Sequence, residues 1–349
     1  MQHGRLGRTG TVVTNYCLGT MTFGAEADEQ TSFGMLDDYF AAGGNFIDTA
    51  DVYGAGVSEE IVGRWLKARP GEARQAVLAT KARLPMGEGP NELGLSRRYL
   101  SRALDASLKR LGVDCVDLYQ LHSWDPLTPV EETLRFLDDA ISAGKIVYYG
   151  LSNYLGYQVT KVVYEARLAN MPLPVTLQPQ YNLLAREIEL EAVPACLDAG
   201  IGLLPWSPLA GGWLTGKYAR GATPGSGSRI GQNPSARNEA YAARSAAEQT
   251  WTVLDVLSEI AAARGTSRAQ VALAWLAGRP AVTSVILGAR TRQQLADNLA
   301  AAGLALSGEE AASLDAASRL QVGDYLYSAV GTFQRGRRLA GGWGAEGEA

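Results

Sequence analysis

Eight short, β-rich apolar runs recur along the chain with segments of helical period between them, and this alternation limits the possible folds more than any other feature. The runs are Tyr16–Thr20, Asn45–Thr49, Ala76–Lys81, Cys115–His122, Ile146–Ser152, Val175–Gln180, Ile201–Ser207 and Ser284–Gly288. Repeated βα units call for a parallel sheet. Several runs are apolar almost throughout, as strands covered on both faces must be. Eight strands with eight intervening helices predict a single (β/α)8 TIM barrel rather than two doubly wound domains. The 349 residues fit the roughly 200 to more than 400 residues of such barrels with insertions. No linker interrupts the alternation, so residues 1–349 are read as one domain.

The intervening segments carry helix signals. Thr128-Pro129-Val130-Glu131 reads as a capping box with Pro at the first helical position, followed by Val130, Leu134, Leu137 and Ile141 on one face. Leu95, Tyr99, Leu100, Leu104, Leu108 and Leu111 form a second stripe before Gly112. Ser58 with Glu59 and Glu60 reads as the start of a third helix, with Ile61, Val62, Trp65 and Leu66 inward.

Surplus length collects in two places. The connection 208–283 between the seventh and eighth strands is enlarged: it opens on a Gly/Ser/Pro-rich stretch from Gly221 to Asn238, then predicts helices over Thr250–Arg264 and Arg268–Gly278. An extra helix over Gly308–Ser318 precedes a C-terminal tail, 319–349. Because barrel chemistry sits at the C-terminal ends of the strands, both long segments are expected lids. The first residues, with His3, predict an N-terminal hairpin under the barrel.

Composition removes several function classes. Lys plus Arg is 32 against 36 for Asp plus Glu, a net charge of −4 with no long basic run, so neither nucleic acid nor an anionic membrane is an expected partner. Cys17, Cys115 and Cys196 are far apart and odd in number, which predicts neither a disulfide frame nor a metal site. No signal-type apolar region or membrane-length run occurs, so a reducing cytoplasm is expected. The sequence carries no sign of oligomeric state. Histidine occurs only at His3 and His122.

The sharpest chemical cluster is spread over strand ends. Asp48 ends the second strand in Asn45-Phe46-Ile47-Asp48-Thr49-Ala50-Asp51-Val52-Tyr53-Gly54, Lys81 ends the third in Ala79-Thr80-Lys81, and His122 ends the fourth in Asp117-Leu118-Tyr119-Gln120-Leu121-His122. A barrel brings Asp48, Tyr53, Lys81 and His122 together at its mouth. Singly, each has an ordinary structural role: a cap, a loop anchor, a surface charge, a core histidine. Together with Gly150-Leu151-Ser152-Asn153, Gln178-Pro179-Gln180-Tyr181-Asn182, Pro205-Trp206-Ser207-Pro208-Leu209 and Leu287-Gly288-Ala289-Arg290, they resemble the aldo-keto reductase superfamily over roughly residues 4 to 320.

The resemblance implies NADPH-dependent reduction of an aldehyde or ketone, keto sugars included, with Tyr53 as proton donor. Reduction builds negative charge on the carbonyl oxygen, so a proton donor must face it. A phenol of pKa about 10 is a weak acid, and a neighbouring cation eases its release. Lys81 is the expected cation, Asp48 its partner and His122 the group that orients the carbonyl. For NADP the resemblance implies Trp206 as the stacking face, Ser152, Asn153 and Gln178 for the carboxamide, and Thr20 and Met21 near the nicotinamide. Ser207, Pro208, Leu209, Gly211, Lys217 and Arg229 are expected along the pyrophosphate. Arg290, Gln294 and Asn298, beside Gly288, are expected at the adenosine phosphate. Thr291-Arg292-Gln293-Gln294 is also a capping box, which gives Gln294 a purely structural use. Met21, Phe23, Trp124, Trp213, Tyr325 and Tyr327 are candidates for a pocket wall or for ordinary packing.

Gly211-Gly212-Trp213-Leu214-Thr215-Gly216-Lys217-Tyr218 is one residue from a P-loop, but Tyr218 cannot replace the small magnesium-ligating hydroxyl. The alternative function is a cofactor-binding regulatory or redox-sensing subunit, because channel-associated β-subunits share this fold and the Trp-Ser-Pro-Leu segment.

Overall fold

The computed structural model describes residues 1–221 and 242–335. Arg229 and most of the glycine-rich stretch lie outside the described residues. Met1–Ser318 forms one compact unit and the residues from Arg319 onward a second, in which Ala329–Arg335 is helical.

An antiparallel hairpin, β1 (His3–Arg5) and β2 (Val12–Thr14), precedes eight strands. These are β3 (Tyr16–Gly19), β4 (Phe46–Asp48), β5 (Val77–Ala82), β6 (Val116–Leu121), β7 (Ile146–Ser152), β8 (Thr176–Gln178), β9 (Gly202–Leu203) and β10 (Val285–Leu287). They pair in the order β10-β3-β4-β5-β6-β7-β8-β9, every neighbour parallel. A bridge between Leu203 and Val282 and the bond from Ile286 N to Pro205 O (3.0 Å) join the two ends, giving the (β/α)8 barrel. The run expected over Ile201–Ser207 leaves only two residues in the ladder. Pro179 and Pro205 have no N–H to give, so beyond Leu203 the pairing continues as single bonds such as Trp206 N to Pro179 O, 2.9 Å.

Helices cover the outside after each strand in turn: α1 (Glu29–Ala41), α2 (Val57–Ala68), α3 (Arg97–Leu111), α4 (Val130–Ser142), α5 (Gly156–Leu168), α6 (Ala192–Ala199), the pair α7 (Glu248–Arg264) and α8 (Arg268–Ala277), and α9 (Arg292–Leu299), with α10 (Gly308–Ala317) beyond. Helix starts follow side-chain chemistry: Asp28, Ser96, Ser267, Thr291 and Ser307 each accept a backbone N–H of the first turn. Two expected starts differ. The box at Thr128 does not form, because its hydroxyl donates to Asp125 Oδ2 (2.7 Å) and the helix opens behind Pro129 without a side-chain cap. Ser58 lies inside α2, buried, where it ties the helix to Thr20 and Thr49.

Two apolar cores result. The larger fills the space between sheet and helices, and the smaller fills the lower barrel with Cys17, Phe46, Val77, Ala79, Leu118, Val175, Leu204 and Ile286. Leu6 and Val13 of the hairpin segment belong to the smaller core, closing the barrel floor. Strand side chains alternate in direction. On β4, β5 and β6 the inward face therefore passes from Phe46, Val77, Ala79 and Leu118 to a polar layer above: Asp48, Lys81 and Gln120, all buried. Gly150 faces this layer from β7. A methyl there would collide with Thr176 Oγ1 and press on Gln120 Cγ.

Gly150→Ala should therefore cost about 1–3 kcal/mol of stability through overpacking, read as a lower urea midpoint; an unchanged midpoint would show that the layer yields freely.

Candidate active site

Lys81 is fully buried at the end of β5 and Asp48 nearly so at the end of β4. Three acceptors surround the ammonium: Asp48 Oδ2 at 2.7 Å, Thr49 O at 2.8 Å and Tyr53 Oη at 3.1 Å. An ammonium has three N–H donors, so all are used. The other Asp48 oxygen accepts from Gln120 Nε2 and Gln178 Nε2, both at 2.9 Å. Tyr53 sits on the turn leaving β4, where Gly54, Ala55 and Gly56 take positive φ and let the chain reverse into α2. His122 stands just past β6, its ring edge-on to Tyr53 with centroids 5.9 Å apart. The four dispersed residues expected at the mouth thus meet in one cluster.

Electrostatics fix the protonation states. Burial alone would favour a neutral Lys81 amine, but Asp48 and the Tyr53 oxygen outweigh it and hold the ammonium well above the ordinary lysine range. Burial also raises the Tyr53 phenol, and Lys81 pulls it down only in part. Tyr53 consequently keeps its proton at neutral pH, and the easing expected from the cation is the smaller of the two effects. Burial, then Lys81 and Arg83, lower His122 to about 3. It is neutral, with Nδ1 buried and unpartnered among the described residues.

The residues expected at the cofactor form a connected rim. Trp206 donates to Asn153 Oδ1 (3.0 Å), Asn153 donates to His122 O (2.9 Å) and to Ser152 Oγ (3.1 Å), and Ser152 donates to Gln178 O (2.9 Å). Asn153 and Ser207 both hold positive φ, 58° and 51°, so their side chains and the Trp206 ring are set by strained backbone. Thr20 is buried and donates to Asp48 O, while Met21 beside it is 45% exposed. Pro208 is buried, Leu209 half-buried, and Gly211 and Lys217 exposed. Gly211 has open space where a side chain would stand. At the strand-8 end, Arg290 pairs with Glu26 (2.7 Å), Gln294 Oε1 accepts Arg290 N (3.0 Å) and Asn298 Nδ2 reaches Gly288 O (3.5 Å). Gln294 thus does serve its own helix start. Exposed Gly288 leaves this end open.

Two pocket candidates are packing instead. Phe23 and Trp213 are buried in the core, and Trp213 packs at a tilt against Tyr218 and edge-on against Trp251. The tyrosine of the P-loop-like word is therefore an interior side chain. Conversely, Gln120 was not singled out by sequence, although as an inward polar residue two before His122 it stood out on an apolar strand. A second polar cluster lies behind the sheet: Glu59 accepts from Thr80 Oγ1 and from Arg110 (2.7 Å), with Asp51 nearby, buried and accepting from Tyr99 at 3.4 Å.

This barrel and polar mouth coincide with comparisons to known proteins. The aldo/keto reductase family model matches residues 15–319. An uncharacterized oxidoreductase, YrpG, of Bacillus subtilis is 38% identical over 88% of this chain and 93% of its own. A probable voltage-gated potassium channel subunit beta of Oryza sativa is 38% identical over 86% and 91%, and the L-glyceraldehyde 3-phosphate reductase of Escherichia coli 36% over 90% and 92%. The chain belongs to the aldo/keto reductase family, a family of oxidoreductases.

The buried acid and base titrate oppositely. Burial and Glu59 push Asp51 from 3.8 up to about 7, so its stabilising contribution is complete below 3.8 and lost as pH rises through about 7. His122, lowered from 6.5 to about 3, contributes above 6.5 and loses it as pH falls through about 3. Between about pH 4 and 6.5 the two oppose each other. Asp51→Asn should make stability rise more steeply with pH there, by up to about 1.4 kcal/mol per pH unit; urea midpoints with an unchanged slope would contradict it.

Proposed function

We propose that the protein reduces an aldehyde or ketone, keto sugars among the candidates, to an alcohol with NADPH, and that Tyr53 donates the proton. The carrying observation is the division of labour on Tyr53: its oxygen accepts from Lys81, while no acceptor among the described residues takes its own proton. A carbonyl oxygen placed at the mouth meets that proton first. Neutral His122 offers a second polar contact beside it, consistent with its unpartnered ring nitrogen.

When bound, the reduced nicotinamide supplies a hydride to the carbonyl carbon. Tyr53 gives its proton to the carbonyl oxygen and becomes phenolate. The Lys81 ammonium, 3.1 Å away, stabilises that charge, and Asp48 holds Lys81 in place. Solvent returns the proton.

Trp206, Ser152, Asn153 and Gln178 are suited to the nicotinamide, with Thr20 and Met21 beside them. Ser207, Pro208, Leu209, Gly211 and Lys217 are suited to the pyrophosphate, where an exposed lysine and a glycine without crowding fit a phosphate at close range. Arg290, with Gln294, Asn298 and Gly288, is assigned to the adenosine phosphate, and its guanidinium favours NADPH over NADH. A reducing cytoplasm suits its three free thiols. The channel-subunit relative brings a regulatory role into view, but an assembled proton donor, cation and neutral histidine favour turnover.

Tyr53→Phe should retain NADPH binding, measured by fluorescence, and lose turnover of an aldehyde panel by two or more orders of magnitude; comparable turnover would remove Tyr53 from its role. Arg290→Met should reduce the preference for NADPH over NADH by roughly tenfold or more, and an unaltered ratio of kcat/KM values would place the phosphate elsewhere.

A further inference from the structure

Arg83 stands two residues beyond Lys81, where the chain leaves β5. Its φ of 148° is one that side-chain-bearing residues rarely adopt, and its carbonyl accepts Gly94 N at 2.9 Å. The turn is thus pinned in a strained form with an arginine upon it, the kind of strain that collects at ligand clamps.

The guanidinium is half-buried, and its charge is felt by His122, Asp125 and Tyr154. Several of the other half-buried or buried arginines meet carboxylates: Arg110 meets Glu59, Arg186 meets Glu189, Arg279 meets Asp315 and Arg290 meets Glu26, while Arg244 donates to Ala210 O. Arg83 makes no ion pair or side-chain hydrogen bond among the described residues, and its Nε is buried without a partner. Asp125, the nearby anion, is already engaged. Its Oδ1 accepts Leu127 N at 3.0 Å, and its Oδ2 accepts Leu95 N at 2.8 Å and the Thr128 hydroxyl at 2.7 Å. A partly dehydrated, unmatched guanidinium is costly, and its planar fork fits a carboxylate or phosphate. Arg83 leaves the sheet at the same mouth as Tyr53 and His122, and Tyr154, which feels its charge, meets Trp124 edge-on.

We propose that Arg83 is a specificity-determining residue that binds an anionic group, carboxylate or phosphate, carried by the carbonyl substrate within a few bonds of the reacting carbon. The proposal rests on the reductase reading for its substrate and on Arg83 alone for its selectivity.

Matched pairs test it: glyceraldehyde 3-phosphate against glyceraldehyde, and 4-oxobutanoate against butanal. The wild type should favour the anionic member of at least one pair by about tenfold or more in kcat/KM, and Arg83→Gln should cut that ratio about 10- to 100-fold, chiefly through KM, with Arg83→Lys recovering part. The favoured pair names the anion. An absent preference, or one that survives in Arg83→Gln, overturns the proposal, as does a loss of NADPH affinity equal to the loss for the anionic substrate. If no carbonyl is reduced, the reductase reading fails, and calorimetry on NADP-loaded protein then decides on Arg83. Glycerol 3-phosphate or 4-hydroxybutanoate should bind the wild type about tenfold or more tighter than Arg83→Gln, and equal affinities would refute it.

Discussion

Lys81 carries a full charge in the interior of a barrel, and the rest of the mouth is arranged around that charge. Burying an ammonium costs several kcal/mol unless every donor finds a partner, and removing one member of such a pair costs about 3–5 kcal/mol. Asp48, Thr49 O and Tyr53 supply the three partners. Gln120 and Gln178 then satisfy the second Asp48 oxygen, so the carboxylate too is complete. Three strands and a loop are thereby bound to one cation, and only a closed sheet brings their ends within reach. In the proposed reaction stability and chemistry share one device: the bond that completes the ammonium also fixes the Tyr53 oxygen, whose own proton meets no acceptor among the described residues.

The polar cluster behind the sheet holds the same loop from the other side. Glu59 on α2 ties Thr80 of β5 to Arg110 of α3, and Ser58 joins Thr20 and Thr49 just beneath the turn that carries Tyr53. Alternation explains the division: Lys81 faces inward to the polar layer of the mouth, and its neighbour Thr80 faces outward to the brace. Asp51 lies between them, two residues before Tyr53.

The barrel was legible because eight apolar runs with helical spacing admit few other closures, and strand ends could be read to within a residue or two wherever the run lacked proline. Residues 201–207 read as a long strand because apolarity says nothing about missing N–H groups; Pro205 shortened the ladder. Thr128 and Ser58 resembled caps because a cap is a local pattern, while their hydroxyls went to partners that only the fold supplies. Asp48, Lys81 and His122 were visible as polar strand ends. Gln120 went unread although its period-two spacing to His122 was there to find it. Arg83 was not legible, since its interest lies in the partner it lacks among the described residues, and no sequence pattern records that.

In the proposed reaction the buried Lys81 ammonium, by holding the Tyr53 oxygen, enables the phenol to give up its proton. Single-turnover oxidation of bound NADPH by an aldehyde, followed by stopped flow in folded Lys81→Met, tests it most directly. The expected rate is about 100-fold or more below wild type with NADPH still bound. A wild-type rate from protein lacking that cation would contradict it.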